Sequence, residues 1–443
     1  MLQNYMVKKK SFLYNIAVIF IGLFILLLGI RVVANLTRTV TASYINIIPL
    51  CISLWFIERN LSLNKLLGRK ALLVFFIFIV LLTLFCIFFS IHYVFGSYLN
   101  GGGDLCAHPE QTWFYNNMLT IANFSKSDWS QGLLADMHLG KYEIQLTYAS
   151  LLVRFGGDIP TNMCIWSAFH LSLCAFIMVL VAVKMGVTNR QRLCLIFFIC
   201  LLQPYIDMLF ACHRDGFGEA ALVLGLYIYI STYKNNVANL IAFPFYAFFF
   251  WSFRAQYLLL AATLYLWTFL IGKRKTINVI IGVIITILLF IIFYSSVDLY
   301  DYVYNNSYLG DYEVVGARQG RSVINMILIS ILGYFPWTNL LNDILWPWQL
   351  FASLQGAMTM TILYYVVKIY KNSLSAFLFN PVLFAGLLFF ISSVYIPGHM
   401  SYTVVAMPIL AATIKNITQK QFCYTYAAMI GLVCVSGYLY SLL

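Results

Sequence analysis

The sequence predicts an all-α polytopic membrane protein, a bundle of about 11–13 transmembrane helices with two long outer-side segments containing interfacial or re-entrant helices. Three observations predict it. Of the 443 residues, 62% are hydrophobic and only 9% charged, whereas a soluble domain carries about 25% charged residues. So little charge cannot coat a water-facing surface, and the mean hydropathy of +0.86 points to lipid as the main solvent. Second, apolar runs of about 18 or more residues recur along the chain, each long enough to cross about 30 Å of hydrocarbon; 12–30, 71–89, 277–293 and 376–394 are examples. Third, Lys and Arg gather in short clusters between those runs, which is the pattern of cytoplasmic loops.

The clusters orient the spans in order. Lys8, Lys9 and Lys10 place the N-terminus in the cytoplasm. The chain leaves through 12–32, a run too long for a cleavable signal peptide and with no small-residue cleavage site before Arg31. It returns through 43–57 to Arg59, Lys65, Arg69 and Lys70, and exits through 71–95 into a polar outer segment. Re-entry through 161–184 reaches Arg190 and Arg192; 193–211 and 217–233 lead out and back to Lys234. Spans 237–252 and 256–272 reach Lys273, Arg274 and Lys275, and 277–297 opens the second outer segment. The chain comes back through 349–367 to Lys368 and Lys371, leaves through 375–394, and returns through 402–414 to Lys415 and Lys420. A last span at 422–441 leaves the C-terminus outside.

This threading divides the chain into an N-terminal three-span segment (1–95), a first periplasmic loop with an interfacial helix (96–160), a central six-span segment (161–297), a second periplasmic segment (298–348) and a C-terminal four-span segment (349–443). Apolar stretches at 323–335 and 339–348, flanked by Tyr334, Trp337, Trp346 and Trp348, suit interfacial or re-entrant helices. Acidic residues play little part in setting topology, yet 14 of the 15 fall outside and only Glu58 inside. Orientation alone does not need that many carboxylates on one face, so the outer face is where chemistry is expected.

The net charge of +12 does not read as a nucleic-acid footprint, because the basic residues form no stripe. Most of the ten cysteines lie inside apolar runs, as Cys86, Cys174, Cys194, Cys200 and Cys434 do, where Cys behaves as a small hydrophobe. Cys106 and Cys212 sit beside polar motifs instead, and a bridge between them would suit an oxidising compartment.

Five polar constellations fall at outer turns. The first is Gly101-Gly102-Gly103-Asp104, followed by His108-Pro109-Glu110 and by Trp113, Tyr115 and Asn116. Three glycines permit a tight turn or close approach by a ligand, and the Asp that ends them is placed to act as a general base. The following stretch, 109–124, has helical periodicity suited to the interface. A flexible loop with an N-capping Asp is the plainer reading. A metal site from Asp104, His108 and Glu110 has suitable ligand types but no diagnostic spacing.

The second is His213-Arg214-Asp215-Gly216, with Asp207 and Glu219 nearby. Charges so close to hydrocarbon are functional candidates, although a local Arg214–Asp215 pair would also stabilise a turn. Arg254 is the third, alternatively a snorkelling interfacial residue. The fourth is Gly316-Ala317-Arg318-Gln319-Gly320-Arg321, where two guanidinium groups suit bidentate pairing with phosphate. The fifth is Pro397-Gly398-His399-Met400-Ser401-Tyr402. Together they suit a substrate with an anionic group and many hydroxyls, as a lipid-linked phosphosugar has.

The layout resembles the C-type integral-membrane glycosyltransferases. Gly101-Gly102-Gly103-Asp104, the 113–124 stretch, Tyr142-Glu143 with Tyr148, Phe155-Gly156-Gly157, and the late Gly398-His399-Met400-Ser401-Tyr402 turn with Pro408 match that pattern in order. Size, hydropathy and the lack of a soluble domain are similar to the phage-type serotype-conversion glucosyltransferases that decorate bacterial O-antigen. Many C-type enzymes carry a doubled acidic motif after the first span. This chain has a single Asp104 after its third.

The resemblance implies a donor sugar on a polyprenyl phosphate and an acceptor hydroxyl on lipid-linked or lipopolysaccharide O-antigen, in the bacterial inner membrane with a periplasmic site. Companions would be a flippase and a polyprenyl-phosphate sugar synthase. No nucleic acid, cofactor or metal is implied. Asp104 would be the catalytic base, with His108 and Glu110 as sugar-orienting or backup groups. Arg214, Arg254, Arg318 and Arg321 would hold phosphate, and Trp113 and Tyr115 would stack on sugar rings. His213, Asp215, His399 and Tyr402 complete the expected substrate-binding set. An O-antigen or capsule polymerase using a lipid diphosphate donor is the alternative. A transporter would instead spread charge through its spans.

Overall fold

The computed structural model describes residues 12–37, 39–91, 109–137, 143–202, 215–253, 257–271, 346–373, 380–394, 401–414 and 417–441, with single positions 284 and 288. The span expected at 277–297, apart from positions 284 and 288, and most of the segment 298–348 fall outside the described residues. Within the described ones every regular element is a helix and no strand occurs. Four candidate spans are long and apolar enough to cross a membrane: Phe12–Leu36, Thr41–Leu61, Arg69–Phe89 and Asn162–Lys184. Shorter apolar helices include Phe217–Thr232, Tyr257–Thr268 and Pro381–Phe390. The protein is thus all-α among the described residues, with the helices of a membrane protein.

The chain clusters into two units, essentially its helices before and after residue 232. The first unit opens with α1 (Phe12–Leu36), α2 (Thr41–Ile45), α3 (Ile47–Leu61), α4 (Leu63–Leu67) and α5 (Arg69–Phe89). Helices α1 and α3 meet along a glycine seam. A β-carbon on Gly22 would stand 2.4 Å from Ile57, and one on Gly29 would stand 2.3 Å from Pro49. The seven-residue spacing puts both glycines on one face, and Ser53 Oγ donates to the Gly22 carbonyl across the seam. In lipid, where apolar surface alone gives no preference for protein, such close backbone approach is what holds helices together.

The α3–α4–α5 corner is built from local geometry. Ser62 takes φ 58 and ends α3. Glu58 is buried and accepts from the Asn64 backbone N–H at 3.0 Å, satisfying an orphan donor at the start of α4. The one carboxylate among the basic loops therefore works as a cap. Gly68, at φ 91 and ψ 155, lies in a region essentially reserved for glycine. Arg190 Nε and Cys194 Sγ both donate to the Leu67 carbonyl, at 2.9 and 3.3 Å, and a β-carbon on Gly68 would collide with the Arg190 guanidinium. Gly68→Ala is therefore expected to destabilise the protein by about 1–3 kcal/mol; an unchanged thermal midpoint in detergent would contradict this corner.

Next come α6 (Pro109–Ala122), α7 (Lys126–Ser130), α8 (Leu133–Asp136), α9 (Glu143–Gly156), α10 (Asn162–Lys184), α11 (Arg190–Leu202) and α12 (Asp215–Thr232). Helix α10 is buried along the whole window that qualifies it as a span. Phe75 of α5 contacts Phe176 of α10 and Phe197 of α11, each ring pair at 5.3 Å. At the start of α10 a polar knot forms. Ser43 Oγ bonds Thr161 and donates to Asn162 Oδ1, and Asn46 Nδ2 donates to the same oxygen at 2.9 Å. Asn15 Nδ2 donates to Tyr227 Oη at 2.7 Å, a buried polar link between α1 and α12. Large side chains such as Phe20, Phe24 and Leu28 of α1, and Leu73, Ile77 and Leu81 of α5, stay exposed, as lipid-facing surfaces do.

The second unit contains α13 (Asn236–Phe253, whose last residues cluster with the first unit), α14 (Tyr257–Ile271), α15 (Trp346–Tyr370), α16 (Pro381–Val394), α17 (Ser401–Thr413) and α18 (Gln419–Ser441). Trp267 stacks on Phe384 at 4.1 Å and 8°, and Phe389 takes Phe250 and Tyr257 on its ring. Tyrosines bond helix to helix: Tyr370 Oη donates to the Thr413 carbonyl, Tyr365 Oη to that of Gln421, and Tyr426 Oη to that of Leu354.

Candidate functional site

The candidate site gathers residues of α6, α9, α10 and α12 within the first unit. Helix α6 opens on Pro109, whose missing N–H costs nothing in a first turn. Phe114, Met118 and Ile121 form a buried stripe at helical spacing, while Asn116 and Thr120 are exposed. With 14 residues, α6 is about 21 Å long at 1.5 Å per residue, short of the hydrocarbon thickness. Its amphipathic face packs against α9.

Arg154, in the last turn of α9, fastens this region. Its Nη2 donates to the carbonyls of Ile121 and Phe124, at 3.1 and 3.3 Å, where α6 ends. The same guanidinium lies 5.6 Å from the Trp129 ring centre, and Phe124 meets that ring edge-on. Ser125 and Asp128 close a reciprocal capping box on α7. Those hydrogen bonds hold the Asp128 carboxyl below its ordinary range, so the box is complete at neutral pH and is lost as pH falls through that depressed value. Arg154→Met keeps length but removes two charge-assisted bonds; faster hydrogen exchange at 119–124 with α18 unaffected is expected, and equal exchange would contradict the clamp.

Below that clamp sits a polar joint in an aromatic setting. His170 is buried in α10, about 12 Å along the axis from Asn162. Its Nδ1 lies 2.7 Å from the Trp166 carbonyl, which only accepts, so in the neutral ring Nδ1 carries the proton. Nε2 is then an acceptor, and Tyr148 Oη of α9 donates to it at 3.0 Å. Burial pushes the Tyr148 phenol well above its ordinary value, so it remains a donor. Trp166 lies 4.8 Å from the imidazole and Phe169 5.5 Å. Phe217, in the first turn of α12, packs on Tyr148 at 4.1 Å and on His170 at 5.8 Å. Three helices thus share one joint.

Two residues beyond Phe217, Glu219 is fully buried. A carboxylate removed from water is expensive unless it is protonated or compensated, and inside a membrane segment such a group is a functional candidate. One turn before Tyr148, Gln145 Nε2 donates to the Ser252 carbonyl at 2.9 Å, so α9 is tied at Gln145, Tyr148 and Arg154.

Of the residues singled out in the sequence, Trp113 is half-buried on α6 and Tyr115 is buried, its ring part of the packing. Glu110, Asp215 and Tyr402 fall on the helical backbones of α6, α12 and α17. Asp104, His108, His213, Arg214, Arg254, Arg318, Arg321 and His399 lie outside the described residues, as do Cys106 and Cys212. Among the described residues no group of three or more His, Cys, Asp or Glu side chains gathers as a metal site would require. Sequence reasoning passed over His170 and Arg154. The signal for His170 was there, a lone imidazole within a long apolar run; for Arg154 there was none beyond its position in a last helical turn. The chain matches no family model, no curated protein and no solved structure.

Proposed function

We propose that this chain is a multi-pass glycosyltransferase of the bacterial inner membrane, moving a sugar, glucose first among candidates, from a polyprenyl-phosphate donor to O-antigen or a related surface glycan. What supports the reading most is the sequence threading, which assigns 14 of the 15 carboxylates to the outer side, Asp207 and Glu219 among them at the outer ends of spans, a bias that orientation does not require. In this reading about 11–13 spans form the bundle, the N-terminus is cytoplasmic and the site faces the periplasm. Asp104, which precedes α6 in the chain, takes the acceptor proton as the anomeric carbon is attacked. Arg214, Arg254, Arg318 and Arg321 stabilise the charge developing on the departing phosphate. A single displacement inverts the anomeric centre.

Three structural features support the reading. Helix α6 is short and amphipathic, as an interfacial helix beside a lipid-linked substrate should be. Arg154 fixes where it ends. Glu219 brings a buried carboxylate to the first turns of α12. The test supplies membranes containing the chain with radiolabelled polyprenyl-phosphate glucose and purified lipopolysaccharide. Label arriving on the polysaccharide supports the proposal, and label remaining on the lipid contradicts it. Lengthening of a polyprenyl-diphosphate oligosaccharide by the same membranes would replace it with polymerisation.

A further inference from the structure

We infer that the hydrogen-bonded Tyr148–His170 pair, with Trp166 and Phe217 packed on it, is a positioning element that sets the first turns of α12. The inference is structural at its root; only its kinetic arm rests on the glycosyltransferase reading.

Four observations carry it. The pair joins α9 to α10 by a bond whose direction is fixed, since the Trp166 carbonyl commits the Nδ1 proton and leaves Nε2 to receive the Tyr148 hydroxyl. Phe217, the third residue of α12, rests on both partners, closest to Tyr148. No other ring contact of Phe217 occurs among the described residues, so the pair is its aromatic seat. Finally, the turn so held carries Glu219, a buried carboxylate whose placement matters to any chemistry at this site.

A buried imidazole spends hydrogen-bonding capacity that Leu or Phe would not, and both of its ring nitrogens are engaged here. Its distinctive property is directional. One ring takes its orientation from its own helix and passes it to Tyr148, and Tyr148 presents a fixed face to Phe217. Glu219 follows Phe217 by two residues, so a shift of the Phe217 seat carries Glu219 with it. Tyr148 is also tied along α9, through Gln145 to Ser252 and through Arg154 to the end of α6, so the joint relates the start of α12 to the end of the interfacial helix.

The experiment uses the full chain in lipid nanodiscs and three variants. Tyr148→Phe removes only the hydroxyl, His170→Leu removes both hydrogen bonds, and His170→Gln keeps an acceptor for Tyr148. Backbone amides 219–223 should exchange about tenfold faster in Tyr148→Phe and His170→Leu, the scale of one lost buried bond. His170→Gln should stay within about twofold of the parent, and the double variant Tyr148→Phe/His170→Leu should be no worse than His170→Leu alone, because both remove the same bond. Exchange unchanged in Tyr148→Phe, or His170→Gln no better than His170→Leu, would overturn the inference; Tyr148→Phe keeps the decision open should His170→Leu fail to fold. With polyprenyl-phosphate glucose as donor, kcat should fall several-fold in Tyr148→Phe with KM for the donor little changed. Faster exchange with unaltered kcat would overturn the kinetic arm, showing that the first turns of α12 do not govern transfer. Wild-type protein that transfers no sugar would sink the function proposal, while the exchange data would still decide this one.

Discussion

Asp104→Asn should lower sugar transfer by a factor of about 10²–10⁴, the usual contribution of a positioned general base, while leaving the protein in the membrane at its normal level. Asparagine keeps the size and polarity of the side chain, so the substitution introduces no new volume beside the neighbouring glycines Gly101, Gly102 and Gly103. What it removes is the ability to accept the acceptor's proton as the glycosidic bond forms. The expected loss corresponds to roughly 3–5 kcal/mol of barrier, far more than a surface substitution in a loop costs by folding effects. The measurement is initial rate with labelled donor at saturating acceptor, normalised to protein level. A variant retaining near-wild-type rate would remove Asp104 from the base role.

The second large effect is structural. Gly29→Val should destabilise the protein by about 2–3 kcal/mol, near the upper range for overpacking. The β-carbon it introduces would fall 2.3 Å from Pro49 Cβ, and the pyrrolidine ring, whose φ is locked, cannot swing aside. Pro49 sits in the first turn of α3, so relief requires moving the helix itself. Gly22 offers a useful contrast. There the neighbours are Cδ1 and Cγ1 of Ile57, side-chain atoms that can give through χ1, stiff though it is for Ile in a helix, without moving α3, so Gly22→Ala should cost less than Gly29→Val. Unfolding in a graded denaturing detergent reports both. An equal, small effect at the two glycines would show that α1 and α3 are not held by this seam.

How much of this was legible in the sequence depends on how local each cause is. The runs that became α1, α5 and α10 were readable because spanning lipid demands length and apolarity, and both are written in consecutive residues. The stretch 109–124 read as a helix and forms Pro109–Ala122. The irregularity at Asn46, between α2 and α3 within the candidate span Thr41–Leu61, falls where Pro49 cannot donate to the Ile45 carbonyl and was readable to that extent; the tie that anchors Asn46 was not. Its side chain bonds Asn162, 116 residues away, and no window covers both. The same limit hid the joint at His170. The imidazole stood out only as a lone polar residue in an apolar run, and its meaning came from Tyr148 on α9 and Phe217 on α12. Glu58 looked like an exception to the charge pattern and became a cap once the start of α4 was located. Tyr115, an aromatic expected to face sugar, has its ring buried in the unit, and aromatic character in a sequence does not distinguish a stacking platform from a packing element.

The central proposal joins a chemistry to a face of the membrane, and one measurement addresses both. Sealed vesicles of defined orientation, right-side-out or inverted, carry the chain with radiolabelled polyprenyl-phosphate glucose confined to their external leaflet, and a membrane-impermeant glycan acceptor is added outside. Label should reach the acceptor in right-side-out vesicles and not in inverted ones, and Asp104→Asn should abolish the signal. Transfer from inverted vesicles alone, or from neither, would contradict a sugar-transferring site on the carboxylate-bearing face.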